Sequence, residues 1–142
     1  RCVLVFVDSQ RVAESLVERI RKRDPQITVN AICKSNDRAS KAQRAKILKG
    51  LEKDKSQILI ATEMLARGID IKGATHVVNF GVPKDFASYL HRAGRVGRMG
   101  RNGIVVSRPA DEEEDERYLS YADQLGISMQ TADMNDLLEM SP

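Results

Sequence analysis

The stretch HRAGRVGRMG, at positions 91–100, repeats an arginine at every third residue. Together with the next residue it places arginines at positions 92, 95, 98 and 101. Residues three apart share one side of a helix, but the glycines between these arginines are poor helix formers. We therefore expect the arginines to lie at the end of a helix and along the loop that follows it. Such a cluster of cations is suited to binding phosphates.

Composition limits the class of protein. The chain has 142 residues, of which 42% are hydrophobic, and this is enough for one domain with a core. Its net charge of +3 is only mildly basic, so a nucleic-acid footprint must come from local clustering. No apolar run could span a bilayer and no secretory leader opens the chain, so we predict an intracellular protein that does not contact membranes.

The few cysteines and histidines argue against disulfide bonds and against a metal site. Cys2 and Cys33 are expected to remain free thiols, because nothing indicates secretion. There is no CxxC motif and no cluster of histidine and cysteine, so we predict no metal site. The acidic run DEEEDE at 111–116 is interpreted as the capped start of a solvated helix, since acidic residues favour the positive end of the helix dipole.

Short apolar runs alternate with amphipathic stretches through most of the chain. Because the apolar runs are uninterrupted, they predict strands buried on both faces. The pattern therefore indicates an α/β fold, a RecA-like three-layer sandwich with a mostly parallel sheet and helices on both faces. The predicted strands are 2–7, 27–32, 57–61, 75–80 and 103–107. The predicted helices are 10–23, one opened by a capping box at Ser40 and ending near 51, 86–93 capped by Asp85, and one that runs from the acidic segment to Gly126. For residues 127–142 we expect a short strand or turn and a small helix around MNDLLEM.

Ligands of such sheets bind at the carboxyl ends of the strands, in the loops that follow them. Two of these regions carry a specific resemblance. ATEMLARGIDI at 61–71 and HRAGRVGR at 91–98 resemble motifs V and VI of the DEAD-box RNA helicases. VLVFVDSQRVAESL at 3–16 resembles motif IV, and VVNFGVPKDFASYL at 77–90 resembles the approach to motif VI. The similarity covers residues 2–107 and corresponds to the second RecA-like domain of that family.

Two sequence features that an ATPase of this type requires do not occur. There is neither a GxxxxGK[ST] loop nor an Asp-Glu-Ala-Asp tetrad. We therefore interpret residues 1–142 as one C-terminal RecA-like domain, excised from a helicase whose N-terminal RecA-like domain acts in cis. ATP and Mg²⁺ are the expected cofactors, with the Mg²⁺ ligands on that other domain.

The resemblance implies a nucleotide site. Arg95 and Arg98 match the arginines that contact the γ-phosphate, where a planar guanidinium can act as an arginine finger. Asp70 matches the aspartate that accepts hydrogen bonds from the ribose hydroxyls, and Gly68 would permit the tight turn. A solvated basic loop or a non-catalytic nucleic-acid clamp remains the alternative for the arginines, and a turn cap remains the alternative for Asp70.

Interdomain contacts are implied for Arg67, His91 and Arg92. RNA contacts are implied for Thr62, with helix capping as the alternative, and for two cations of motif IVa. These cations are Lys41, which stands where the family has glutamine, and Arg44.

Two further positions depart from the family pattern. Glu63 replaces a more usual aspartate. Gly81 replaces an aspartate that commonly precedes the segment "xP", so a supporting hydrogen bond near motif VI is in doubt.

The sequence thus predicts the second RecA-like domain of an ATP-dependent RNA helicase, inactive as a fragment. Few aromatic residues are available to stack on bases, so RNA contacts are expected to go to the backbone without regard to base sequence. Two alternatives remain. One is a DNA-directed helicase of superfamily 2, disfavoured because those proteins commonly begin motif VI with glutamine. The other is a non-enzymatic, helicase-like interaction module, against which the intact Asp70, Arg95 and Arg98 argue.

Overall fold

The computed structural model describes residues 2–32, 38–51, 57–63, 71, 74–97 and 102–133. Within these ranges, five strands form a single sheet in the spatial order β2-β3-β1-β4-β5, and all four neighbouring pairs are parallel. The strands are β1 (Cys2–Val7), β2 (Thr28–Ile32), β3 (Gln57–Thr62), β4 (His76–Phe80) and β5 (Ile104–Arg108). The central strand β1 is almost fully buried, as its apolar run predicts. The predicted α/β fold with a parallel sheet is confirmed.

Four helices accompany the sheet in the described part of the chain. Three of them begin at caps whose side chains accept a backbone N–H from three residues further on, and these caps are Ser9, Asp85 and Asp111. The last helix ends at Gly126, which adopts the left-handed conformation at φ 63°. The helices are α1 (Gln10–Arg23), α2 (Arg38–Leu51), α3 (Phe86–Ala93) and α4 (Glu112–Leu125).

The start of α2 corrects the prediction. The helix begins at Arg38, so Ser40 lies inside its first turn and does not cap it. Arginine and alanine are good helix formers, and at positions 38 and 39 they let the helix extend past the expected capping box. The predicted bounds of β1 are confirmed, and those of the other strands differ from the observed ones by at most one residue.

The sheet separates two of the three core clusters of the described residues, one on each face. Alternate residues of β1 point to opposite faces, so Leu4 and Phe6 belong to one cluster and Val5 and Val7 to the other. Helix α1 covers the second cluster with Ala13 and Val17, whereas Ile47 of α2 and Val96, which follows α3, pack against the first. Helices therefore cover both faces, as the three-layer prediction requires.

The two ends of the chain are described in part. Residues 127–133 form neither helix nor strand, while the helix predicted around MNDLLEM lies outside the described residues. Cys2 is a buried free thiol whose pKa is raised by burial, and Cys33 lies outside the described residues. No helix within the described ranges is both long and apolar enough to cross a bilayer.

Candidate functional site

The arginines of the repeated motif lie where helix α3 ends. Arg92 is the last residue but one of α3, and Arg95 lies in the turn that follows. That turn is closed by backbone hydrogen bonds from Arg95 N to Arg92 O at 3.1 Å and from Val96 N to Ala93 O at 3.2 Å. The predicted arrangement, a helix end followed by a loop, is confirmed for these two arginines, and Arg98 and Arg101 lie outside the described residues.

Arg92 is held inside the domain. Its residue surface is 2% exposed, and Nη2 donates to Oε2 of Glu63 at 3.0 Å. The guanidinium carbon lies 5.1 Å from the ring centroid of Phe6, a cation–π geometry. Burying a charge is costly unless it is paired, so these contacts fix α3 against the ends of β1 and β3.

Arg95 is held by a neighbouring imidazole. Its Nη2 lies 2.7 Å from Nε2 of His91, one helical turn earlier, and the residue is 8% exposed. A guanidinium only donates hydrogen bonds, so Nε2 of His91 must accept and the imidazole must be neutral, with its proton on Nδ1. His91 therefore fixes the direction of a side chain that is permanently charged.

The predicted RNA contacts lie elsewhere on the same edge of the sheet and on α2. Thr62 is half-buried at the last position of β3, directly before Glu63. Lys41 is exposed in the first turns of α2. Arg44 is half-buried and lines a groove between α1, β2 and α2 that also contains Glu14. Thr62 therefore lies next to Glu63, the partner of Arg92. Lys41 and Arg44 belong to a separate helix.

Four of the predicted site residues cannot be placed. Arg67, Gly68, Asp70 and Arg98 lie outside the described residues, so their roles stay predictions. Among the residues that are described, no group of three or more histidine, cysteine, aspartate or glutamate side chains could hold a metal ion.

The glycine at position 81, where the family pattern has aspartate, has a structural explanation. Gly81 has φ 95°, and a Cβ at this position would lie 2.7 Å from Oδ2 of Asp8. The Asp8 carboxylate, which follows β1, therefore occupies the space that a side chain at position 81 would need. Burial raises the pKa of Asp8, the positive charge of Arg92 opposes this shift, and Glu114 and Glu63 add to it. The aspartate that the family pattern has at position 81 would clash here with the carboxylate of Asp8.

A set of donors on helix α4 was not apparent from the sequence. Arg117, Tyr118 and Tyr121 all donate to backbone carbonyls in the loop between β4 and α3. The tyrosines are three residues apart and therefore share one helix face, which was the available signal. The sequence could not indicate which loop that face contacts.

A five-stranded parallel sheet with this arginine-bearing turn at its carboxyl edge defines a RecA-like helicase domain. The family model described as "Helicase conserved C-terminal domain" matches residues 1–100, and the chain belongs to that family. Within it, the chain is a C-terminal domain of the DEAD-box type.

Two curated relatives show this similarity in sequence. The DEAD-box ATP-dependent RNA helicase CshC of Bacillus cereus is 44% identical over 89 residues, which are 63% of this chain and 23% of that protein. The ATP-dependent RNA helicase eIF4A of Eremothecium gossypii is 36% identical over 110 residues, 78% of this chain and 26% of that protein. The chain thus spans about a quarter of the length of these relatives.

Solved structures of the DEAD-box protein Dbp5 share the fold. Its C-terminal domain superposes with a TM-score of 0.78 at 27% identity, over 97% of this chain and 78% of that one. Dbp5 of S. cerevisiae bound to RNA and ADP BeF3 superposes with a TM-score of 0.79 at 27% identity, over 97% of this chain and 36% of that one.

Proposed function

We propose that residues 1–142 form the second RecA-like domain of an ATP-dependent DEAD-box RNA helicase. In this proposal an N-terminal RecA-like domain of the same protein binds the ATP phosphates and Mg²⁺, and the present domain supplies Arg95 and Arg98 to the γ-phosphate. The observation that carries the proposal is the arrangement of residues 91–97 at the end of α3, where Arg95 is oriented by His91. A relative with this fold binds RNA and ADP BeF3, which supports both ligands.

The geometry suits an arginine finger. Phosphoryl transfer spreads negative charge over the γ-phosphate oxygens, and catalysis depends on charged donors that are already in place. Arg95 meets this requirement because it is largely buried and its direction is set by His91. Gly68, Asp70 and Arg98 would complete the nucleotide contacts, with Asp70 accepting from the ribose hydroxyls.

Arg67 and His91 are proposed to contact the other domain directly, whereas Arg92 would act on that contact from within its own domain. Its guanidinium is buried against Phe6 and paired with Glu63 within this domain. We therefore assign it the task of fixing α3, so that His91 and Arg95 face the other domain correctly.

RNA would be held through its backbone. Lys41 is exposed in the first turns of α2, where its charge can meet phosphates from solvent, and Arg44 follows one turn later. The backbone amides and the hydroxyl of Thr62, at the end of β3, would bind a further phosphate. Contacts of this kind give affinity that is independent of base sequence and falls steeply with salt.

The substitution Arg95→Lys in the two-domain protein tests the catalytic part of the proposal. It keeps the charge but loses the planar fork of donors, so we expect RNA-stimulated ATP hydrolysis to fall by about 10³-fold. RNA affinity without nucleotide should stay unchanged. Arg19→Lys, at an exposed arginine of α1, is the matched control and should have normal turnover. Near-normal turnover of Arg95→Lys at saturating ATP and RNA would contradict the arginine-finger assignment and favour a phosphate-binding role without catalysis for Arg95.

A further inference from the structure

Helix α4 lies outside the segment that the helicase family model matches, which ends at residue 100. Its first turn is acidic and largely exposed, as the capped-helix interpretation predicts, but its opposite face is not a plain apolar surface. That face carries tyrosines at 118 and 121, which are 2% and 7% exposed, and the half-buried Arg117. Three side chains with strong donors on one buried face need acceptors.

The acceptors are carbonyls of one loop. The Tyr118 hydroxyl donates to the Gly81 carbonyl at 3.0 Å, and the Tyr121 hydroxyl donates to the Pro83 carbonyl at 3.0 Å. Arg117 Nη2 lies 3.1 Å from the carbonyls of both Pro83 and residue 84. Four hydrogen bonds from one helix therefore converge on the four residues that connect β4 to the cap of α3.

The same helix also packs directly on α3. The ring of Tyr89, in the first turn of α3, stacks on Tyr121 with centroids 5.4 Å apart and an interplanar angle of 27°. It meets Tyr118 edge-on at 6.0 Å. Tyr89 is 4% exposed and lies three residues before Arg92, so the part of α3 that contacts α4 is one turn away from the guanidinium.

The loop between β4 and α3 begins at a glycine with a positive φ. Gly81 has φ 95°, which is open to glycine but strained for other residues, so the backbone there has unusual freedom in an unfolded chain. Donors on α4 remove this freedom by fixing the carbonyls on either side of Val82. From outside the matched helicase segment, α4 therefore restrains the loop that leads into α3.

We propose that α4 is a positioning element for the arginines of α3, with Arg117, Tyr118 and Tyr121 as positioning residues. The inference rests on the proposed function, because positioning matters only if Arg95 acts on the nucleotide. Displacing a catalytic group by about 1 Å can cost about 10²-fold in rate. Loss of these bonds should therefore slow the chemistry more than it weakens ligand binding.

The test uses Tyr118→Phe combined with Tyr121→Phe in the two-domain protein. Both rings and their packing remain, and only the two hydroxyls that hold the loop are lost. We expect kcat for RNA-stimulated ATP hydrolysis to fall on the order of tenfold, while the KM for ATP and the RNA affinity without nucleotide change less than about twofold. Arg117→Gln, which removes the guanidinium from the same loop, should give the same pattern.

A control separates positioning from general stability. Val17→Ala truncates a side chain of α1 that is 8% exposed and lies in the core cluster on the other face of the sheet. It should lower the thermal midpoint at least as much as the double tyrosine variant and leave kcat unchanged. If the double variant does not fold, the single Tyr118→Phe and Tyr121→Phe variants are measured, and each should lower kcat by about threefold, since two equal factors of this size multiply to about tenfold.

The outcomes distinguish this inference from the proposed function. If Arg95→Lys abolishes turnover but the tyrosine and Arg117 variants keep the kcat of Val17→Ala, the positioning role of α4 is wrong and the arginine-finger assignment stands. If Arg95→Lys retains turnover, the proposed function itself fails, whatever the tyrosine variants do. A fall in kcat without a change in KM or RNA affinity, in the tyrosine and Arg117 variants but not in Val17→Ala, supports the positioning role.

Discussion

The two cationic regions of the domain are built in opposite ways. At the end of α3, Arg92 and Arg95 are 2% and 8% exposed, and each has a partner within the domain, Glu63 and His91 respectively. On α2, Lys41 is exposed to solvent, whereas Arg44 is half-buried in a groove that also contains Glu14. Both regions carry positive charge, yet the first one restricts more tightly where that charge points.

The difference corresponds to two kinds of recognition. A buried, paired guanidinium loses its solvation, and this cost is justified where one geometry is needed, as in stabilising a transition state. An exposed cation keeps its solvation and can meet phosphates in many positions, which suits an irregular backbone and makes binding sensitive to salt. We therefore expect substitutions on α3 to affect folding and turnover, and those on α2 to affect RNA affinity.

The largest effect is expected at the buried ion pair. Arg92→Met keeps much of the volume but leaves Glu63, whose side chain is 16% exposed, without this partner. We expect the free energy of unfolding to fall by about 3 kcal/mol in urea denaturation. Adding Glu63→Gln should restore part of the lost stability, because a neutral amide then replaces the carboxylate that has lost Arg92. Equal stabilities of Arg92→Met and the unsubstituted protein would show that the ion pair does not hold α3.

On α2 we expect the main effect to be on RNA binding. Replacing Lys41 and Arg44 together by alanine should weaken RNA binding about tenfold and reduce the salt slope of log affinity by about 1.4, since each phosphate contact contributes about 0.7 for a single strand. Fluorescence anisotropy at several salt concentrations measures both. The matched control, alanine at the exposed Arg19 and Lys22 of α1, removes the same charge and should leave the slope unchanged. An equal change of the salt slope in the α2 variant and in the α1 control would mean that RNA affinity depends only on net charge.

Two glycines at helix ends, one in α2 and one after α4, are expected to respond oppositely to alanine. Gly50 in α2 and Gly126 after α4 each have no atom within 4 Å of the point where an added Cβ would lie, so neither substitution causes a clash. Gly50→Ala should stabilise the domain by up to about 0.5 kcal/mol, because Gly50 has helical backbone but is the last residue but one of α2. Gly126→Ala should destabilise it by about 1 kcal/mol, because φ is 63° there. Thermal unfolding of both variants measures this difference, and a shift of the same sign in both would contradict the assigned backbone conformations.

The smallest effect is expected at Asp8. Burial raises the pKa of Asp8 above 3.8, so the folded state disfavours the charged carboxylate, and its charge lowers stability at neutral pH. Asp8→Asn should therefore raise the unfolding midpoint at pH 7, with a gain of about a few tenths of a kcal/mol because the side chain is partly exposed. The gain should disappear as the pH falls below about 3.8, where Asp8 is protonated in both states. A gain that is independent of pH would show that it does not come from the charge.

Local signals in the sequence determined most of the elements. Asp85 followed by FASYLHRA predicted a helix over 86–93, and α3 has these bounds because the cap and the helix formers act within one or two turns. The apolar runs likewise predicted parallel strands, and β1 and β3 are buried as expected, whereas the edge strands β2 and β5 are largely half-buried. The start of α2 was predicted wrongly, because Ser40 forms a plausible capping box that the residues before it override. The motif residues could be found because their spacing is itself a local property.

Only the tertiary structure decided which distant groups meet. Asp8 and Gly81 share one space, and Arg92 pairs with Glu63, although each pair is separated by a long stretch of chain. The contact of α4 with the loop before α3 belongs to the same class, since Tyr118 reaches a carbonyl 37 residues earlier in the chain. The pattern of a helix face shows that it is buried, but the loop or helix that it meets is set by how all the elements pack around one sheet. The sequence therefore specified the arginines of the site, and the packing of the sheet, Glu63 and α4 specified how they are held.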